Sequence, residues 1–471
     1  MPIPQNDPDL CGLAWATKVC ASGVFHTFRD PLRTFYESCN WMAAPDALVR
    51  QAIQEKNPAA LMALRPDVDF DEDNGRLSLS LNGRTAHAIR FGDQGVAVVA
   101  SPDEGPMFTP QTTPRDTYAG VKTPLDQIGI TAEPGVTDAD AAAIAAAEAL
   151  VFENPRHMTN AFLVLHKGEL LSERYRKPFD AQTRFESWSM GKSLAATLFG
   201  VALQQGRVDL DEPSLFDAWA SDERSGIRAR DLLNMASGLR FSGSYGRTED
   251  TSRKQEDGRF LDHIYVYAGG VDSHAFCLGK PLEDTPGTNG RYRNCDPLLT
   301  MGLIRERACS GDVGAFLTWP YEQLLNRIGA TGMVLETDRY GHFLISGHDY
   351  GRARDWARLG QLHLQRGAWG GEQILPESYA DFIRTPARHA WPPGHAYGGF
   401  CYVNADKIMP TLPGDAFIMS GGGRQRVVMV PSLDLVIVRL GHINGQGKSL
   451  EDTLNKAYGM ICGAVSKGVT S

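Results

Sequence analysis

Apolar and polar positions fall into runs that predict alternating strands and helices over most of the chain. Ala161–His166 and Glu169–Tyr175, joined by a Lys167-Gly168 turn, read as a β-hairpin. Leu194–Leu203 is apolar, rich in helix formers and ended by Gln204-Gln205-Gly206, which reads as a buried helix. Strands are expected at Asp415–Met419, Arg426–Val430 and, after a Pro431-Ser432 turn, Leu433–Leu440. A terminal helix follows over Ser449–Val465, capped at Ser449 with Glu451 and Asp452 in its first turn. Asp138–Leu150 predicts a strong helix opening this part of the chain. Strands supplied by both ends of one stretch imply an antiparallel sheet closed by those ends, with helices on both faces. The fold class expected is therefore mixed α/β (α+β), with residues 136–471 as its main domain.

Residues 1–135 read as a separate accessory region. Leu10–Cys20 has helical periodicity, and Asp46–Leu64 continues as helix with a break at Asn57-Pro58. Arg76–Leu81, the turn Asn82-Gly83, Arg84–Phe91 and Gly95–Ala100 predict a three-stranded meander. The Pro- and Thr-dense stretch 101–124 reads as a linker.

Composition narrows the function classes. At 471 residues the chain exceeds the size of one ordinary core, so a large domain with an accessory one is expected. A formal charge of −9 argues against a nucleic-acid or polybasic membrane partner. No run approaches the ~18 apolar residues of a membrane span. The start lacks the basic and apolar regions of a signal peptide, which favours a cytoplasmic protein, although a trimmed periplasmic form would look the same. The eight cysteines form no C-x-x-C pair and no Cys/His cluster has zinc spacing, so they read as reduced, mostly buried thiols, and no metal or cofactor is expected.

The chemistry concentrates at Glu186-Ser187-Trp188-Ser189-Met190-Gly191-Lys192-Ser193. Positions i and i+3 share a helix face, so the Ser189 hydroxyl and the Lys192 amine can meet at the mouth of the helix. A lysine kept partly neutral by burial accepts a hydroxyl proton, and a helix N-terminus stabilises nearby negative charge. The plain alternative is a capping serine followed by a solvated lysine. A phosphate loop fails because Glu186 stands where its first glycine belongs, and the G-x-S-x-G elbow fails at Ser187. About a hundred residues on, the turn Pro286-Gly-Thr precedes Tyr292 and Asn294, which share a side if locally extended. A third element, Ser420-Gly421-Gly422-Gly423-Arg424-Gln425, opens a strand.

S-x-x-K, then Y-x-N after a P-G-T turn, then a Gly-rich strand start resembles the serine β-lactamase and penicillin-binding-protein superfamily. The pattern is most similar to its class C-like branch, with D-aminopeptidases, carboxylesterases and 6-aminohexanoate-dimer hydrolases. Ile227–Leu239 resembles the branch's "LLtmtSGL" segment and Gly351–Leu364 its "TArDlArfGqLlL" helix, while Gly370–Pro376 and Tyr397–Phe400 follow in order. The resemblance covers roughly 140–465 and implies a β-lactamase-like fold with a helical domain beside the sheet. K-T-G is replaced here by a G-x-x-G-Q…P version, as in esterase and amide-hydrolase members, so the lysine that helps bind a penicillin carboxylate is missing. Arg424 and Arg426 are the available substitutes. Two E-x-x-L-N matches, Glu322–Asn326 and Glu451–Asn455, are assigned to structure.

The resemblance implies Ser189 as nucleophile, Lys192 as its partner and Tyr292 as second base. It implies an oxyanion site between the backbone N–H groups of Ser189 and Gly422. Asn294, Tyr245, Gly421 and Gly423 are the residues implied at the substrate. The function expected is a serine hydrolase acting on a small-molecule ester or amide. The alternatives are a β-lactamase or D-Ala-type carboxypeptidase/transpeptidase, and a catalytically silent scaffold that binds an acyl ligand. The accessory region is a candidate for capping the pocket or for forming a homodimer.

Overall fold

The hairpin near residue 160 and the strands after 415 join one sheet. The computed structural model describes residues 2–44, 59–115, 123–126, 141–243, 257–445 and 447–466. Along the chain the elements used below are α1 (Pro8–Thr27), β1 (Asp67–Asp71), β2 (Arg76–Leu81), β3 (Arg84–Arg90), β4 (Val96–Val99), α2 (Ala141–Glu153), β5 (Thr159–His166) and β6 (Glu169–Tyr175). They continue as α3 (Met190–Gln204), α4 (Ala353–Leu364), β7 (Tyr397–Gly398), β8 (Cys401–Val403), β9 (Phe417–Gly421), β10 (Gln425–Val430), β11 (Leu435–Gly441) and α5 (Lys448–Ser466). The described chain divides into two compact units. One comprises 1–113, 212–317 and 334–348, the other 114–211, 318–333 and 349–471.

The second unit is built on a seven-stranded sheet in the order β7-β8-β9-β10-β11-β5-β6, with its pairs antiparallel. Alternation along the strands sends Phe162, Val164, Val428 and Ile437 into a core shared with Ile144, Val151, Leu454 and Ile461 of α2 and α5. On the other face α4 approaches closely: a Cβ on Gly360 would stand 2.8 Å from a Val436 methyl. Asp355, buried in the first turn of α4, accepts from the backbone N–H of Arg352 at 3.0 Å and closes the helix entrance. Helices therefore cover both faces of an antiparallel sheet, as the pattern predicts. One detail differs. The terminal helix begins at Lys448, so Ser449 does not cap it; its hydroxyl lies 2.9 Å from His157 Nε2 instead.

In the first unit, α1 starts at Pro8 behind Asp7, whose side chain accepts from Leu10 N at 3.1 Å. It packs on a four-stranded antiparallel sheet, β1-β2-β3-β4. The expected meander is present with β1 added at its edge. Val68 and Phe70 are the apolar positions of that strand, and its acidic neighbours Asp67, Asp69 and Asp71 hide the signal. Of the helix expected over 46–64, only Ala59–Met62 is described, and residues 45–58 lie outside the described residues. Lys18 of α1 is fully buried, with its ammonium 2.8 Å from Glu336. Helices at Ala229–Leu233, Asp262–Ala268, Ser273–Leu278 and Cys295–Ala308 also belong to this unit. All eight cysteines are buried thiols.

Candidate active site

The turn into α3 shapes the surroundings of Ser189. Trp188 has φ +50°, a left-handed conformation that a bulky residue adopts only under constraint. Ser189 follows at the N-cap with φ −64° and makes no side-chain cap bond. Its Oγ lies instead 3.1 Å from Lys192 Nζ, one helical turn on. Lys192 is 1% exposed. Burial holds its amine well below the usual lysine range, opposed by the nearby charge of Asp349. The capping-serine and solvated-lysine alternative is thereby excluded: the hydroxyl caps nothing and the amine is dry.

The approach to this turn is pinned from behind. Ser187 N donates to Asp349 O at 3.0 Å, and the Ser187 hydroxyl bonds to the Asp349 carboxylate. Phe185 and Glu186 pair with Gly351 and Tyr350 as a short antiparallel ladder. The buried Glu186 also meets His442 Nδ1 at 3.2 Å. Sequence reasoning missed Asp349, Glu186 and His442 as parts of this arrangement. Their only signal is a charged or imidazole side chain flanking a helix start or an apolar strand, and that signal is faint.

The Gly-rich turn lies directly against the segment that carries Ser189. A Cβ on Gly421 would collide with the Ser187 carbonyl oxygen and stand 3.1 Å from Trp188 Cβ. One on Gly422 would stand 3.5 Å from Trp188 Cγ. Gly423 has φ +71°, and its Cβ would be 2.6 Å from Ile443 Cα. Gly421 and Gly423 are therefore required by close approach, and Gly423 by backbone conformation as well, whereas a Cβ at Gly422 would meet only the tip of the Ile443 side chain at 3.0 Å. Gln425, last residue of the G-x-x-G-Q pattern, grips both polar backbone groups of Gly441, accepting from its N–H at 2.8 Å and donating to its carbonyl. That pairing serves the point where the β11–β5 register shifts, between Leu440 and Gly441. Arg424 and Arg426, the substitutes for a missing lysine, both reach Glu451, at 2.6 Å and 3.3 Å. Glu451, from one of the two E-x-x-L-N matches, thus has a structural ion-pair role.

Tyr292 and Asn294 belong to the other unit, where their loop is held by its own network. Arg291 N donates to Met235 O at 2.9 Å and Gly287 N to Ala236 O at 2.8 Å, so the loop is laced onto the backbone of Met235 and Ala236. A Cβ on Gly238, at φ +78°, would collide with the Asp284 carbonyl. Beneath the loop, the buried Arg293 donates to Leu239 O at 2.6 Å and to Ser237 Oγ at 3.2 Å. Ser237 donates to the buried carboxylate of Asp296 at 2.7 Å. Burial pushes that carboxyl up to about 6, against the pull of Arg293. Tyr292 is 3% exposed with its ring 6.3 Å from that of His263, and Asn294 Nδ2 donates to the His263 carbonyl. The structure thus gathers Ser189, Lys192 and Gly421–Gly423 in one unit and Tyr292 with Asn294 in the other. Tyr245 lies outside the described residues.

A curated relative, the 6-aminohexanoate-dimer hydrolase of Paenarthrobacter ureafaciens, is 27% identical over 230 residues, 48% of this chain and 57% of that protein. The chain's match thus spans a little over half the length of that relative. Among solved structures, a protein from Bacillus anthracis described as a 6-aminohexanoate-dimer hydrolase superposes with TM-score 0.53 at 20% identity, over 66% of this chain and 80% of that one. A family VIII carboxylesterase superposes with TM-score 0.51 at 16% identity, over 67% and 96%. These structural likenesses carry the fold. The family described as Beta-lactamase matches residues 156–458, well over half of the 471, from the first strand of the sheet into its last helix. The chain belongs to the β-lactamase family.

Proposed function

We propose that this protein is a serine hydrolase that cleaves an ester or amide bond of a small molecule through an acyl-enzyme on Ser189. The observation that carries the reading is the Ser189 hydroxyl held 3.1 Å from a buried Lys192 amine at the head of α3. A neutral amine is a competent base, and burial favours that form here. Ser189 Oγ attacks the substrate carbonyl carbon as its proton passes to Lys192. Tyr292, assigned from its motif, takes that proton from Lys192 as second base and delivers it to the leaving alcohol or amine as the C–O or C–N bond breaks. The oxyanion is held by the backbone N–H groups of Ser189 and Gly422. Water then attacks the acyl carbon with Tyr292 taking its proton, the acid leaves, and Ser189 recovers its hydrogen. Asn294, Tyr245, Gly421 and Gly423 complete the substrate's surroundings in this reading.

The substrate is an ester or a linear amide of the kind named for the 6-aminohexanoate-dimer hydrolase relative, in preference to a β-lactam. Supporting that preference, the turn Gly422-Gly423-Arg424 directly after β9 carries no lysine, and both nearby arginines are engaged by Glu451. The test is a panel on the wild type and Ser189→Ala: short p-nitrophenyl esters, nitrocefin, a D-alanine amide and a linear aminohexanoate amide. Ester or amide turnover that disappears in Ser189→Ala, with nitrocefin poor, is the expected result. Equal turnover in the variant would overturn Ser189 as nucleophile. Silence from both proteins would favour a ligand-binding scaffold.

A further inference from the structure

We propose that Arg439 is a positioning residue for the turn Gly421–Arg424, fixing it against the nucleophile's segment so that its backbone N–H stands ready for the oxyanion. The inference rests on the reading of Ser189 as nucleophile and Gly422 as oxyanion donor.

Arg439 lies on β11 opposite Arg426 of β10, and no part of it reaches solvent. Its guanidinium is bonded to neutral acceptors: Nη1 donates to Gly423 O at 2.5 Å and Arg424 O at 3.3 Å. Nη2 donates to His157 O at 2.7 Å and Thr159 Oγ1 at 3.1 Å, and Nε to Thr159 Oγ1 at 3.2 Å. One side of the fork therefore grips the Gly-rich turn and the other grips the start of β5. Arg424, Arg426 and Arg176 add like charge nearby, and burial draws the Arg439 guanidinium down to about 9. A buried cation with this company is a poor choice for stability alone, since an apolar side chain of similar length would fill the space without the desolvation penalty. What a planar fork of charge-assisted donors offers is direction. The same turn is pressed on its other sides by Ile443 and by Ser187–Trp188, so withdrawing it from the nucleophile breaks bonds to Arg439. Oxyanion donors act by being in place before charge develops.

The experiment compares wild type, Arg439→Lys, Arg439→Met and Thr159→Val. It uses p-nitrophenyl acetate for kcat and KM and an aryl trifluoromethyl ketone as the tetrahedral-adduct analogue. Rates are normalised to the fraction of protein labelled by a fluorophosphonate, and folding is monitored by near-ultraviolet circular dichroism. The expected result for both Arg439 variants is kcat lowered about 10- to 100-fold, with KM within about threefold. Ketone affinity should fall in parallel with kcat/KM. Thr159→Val, which removes an anchor of the fork and keeps the guanidinium, shifts the same two quantities by a smaller factor. A loss of folding would lower the labelled fraction and leave the ratio of ketone affinity to KM unchanged. Unchanged kcat per labelled site, or a rate loss with ketone affinity intact, would overturn the proposal. If neither Arg439 variant folds, Thr159→Val decides by the same ratio. Failure of the parent reading is separate, because it shows as hydrolysis that survives Ser189→Ala.

Discussion

Among the described residues two lysines, Lys18 and Lys192, are buried, and their surroundings differ in kind. Lys18, on α1, has its ammonium 2.8 Å from Glu336, whose carboxylate also takes hydrogen bonds from Ser22 at 2.8 Å and Val96 N at 3.0 Å and lies 2.9 Å from His26. Lys192, on α3, has the neutral Ser189 hydroxyl at 3.1 Å, and Asp349 acts on it as a nearby charge. Burial lowers both lysines, and Glu336 pulls Lys18 back through direct contact. A paired, saturated cation is a structural tie that joins α1 and β4 to the segment carrying Glu336. A buried amine facing a hydroxyl at a strained turn is, in the proposed reaction, the group that takes the proton. The same residue type with the same burial thus separates by what its nitrogen meets.

Exchanging each lysine for methionine sharpens that contrast most. Lys192→Met is expected to lose about 10⁴-fold or more in kcat, since members of a nucleophile-and-base unit are not replaceable singly. Its stability at neutral pH should rise, because the desolvated amine is removed. Lys18→Met should do the opposite, costing about 3–5 kcal/mol because Glu336 is left buried without its main partner, while the activity of the folded fraction stays near wild type. Parallel assays of turnover and urea unfolding check both; a catalytic loss in folded Lys18→Met would break the comparison. Adding Glu336→Gln to Lys18→Met should cost less than the two single losses together, because the second change removes the stranded charge.

The asymmetry also has a pH signature. Lys192 titrates lower in the fold than in the unfolded chain, so the unfolded state holds more protons between the lowered value and the ordinary 10.5. In that window stability rises with pH. Lys192→Met removes the slope, so its unfolding midpoint should exceed wild type at neutral pH and the gain should shrink toward pH 10.5. For the wild type, turnover should fall on the acid side as Lys192 takes up its proton and ceases to be a base. A midpoint difference that is flat from pH 7 to pH 10 would contradict the assignment of a depressed lysine.

Much of this was legible in the sequence because the relevant signals are local. The hairpin, the strands after 415 and the helix after Ser189 follow from apolar runs and turn residues, and all are present. The helical spacing of Ser189 and Lys192 was enough to bring their polar atoms together. What stayed hidden depends on contacts between distant segments. Lys18 reads as the polar position of an amphipathic helix until Glu336, 318 residues away, fills the space opposite it. Arg439 sits in a run of Val, Ile and Leu that predicts a strand, and nothing local says that its fork reaches Gly423. The left-handed Trp188 is invisible because the segments packed around its turn, the glycine turn among them, come from far along the chain.

The smallest effect concerns a third buried charge, intermediate between the two lysines. Asp296 accepts from Ser237 at 2.7 Å under the loop that carries Tyr292, and its other carboxylate oxygen has no hydrogen-bond partner among the described residues. Its carboxyl is pushed up to about 6 from 3.8 by burial. A raised carboxyl is bound by its proton more tightly in the fold than in the unfolded chain. The associated stability is present below about pH 4 and is lost as pH climbs through 6. Asp296→Asn keeps an acceptor for Ser237 and removes the charge that burial penalises. The variant should therefore match the wild type in urea midpoint near pH 4 and exceed it at pH 8 by roughly 1–3 kcal/mol. Its kcat should change less than about tenfold, because the lacing of Arg291 and Gly287 onto the Met235–Ala236 backbone is untouched. If Asp296→Asn is instead destabilised at pH 8, Asp296 is a paired charge of the Lys18 kind, with Arg293 as its counter-ion, and the contrast between saturated and strained buried charges loses its middle case.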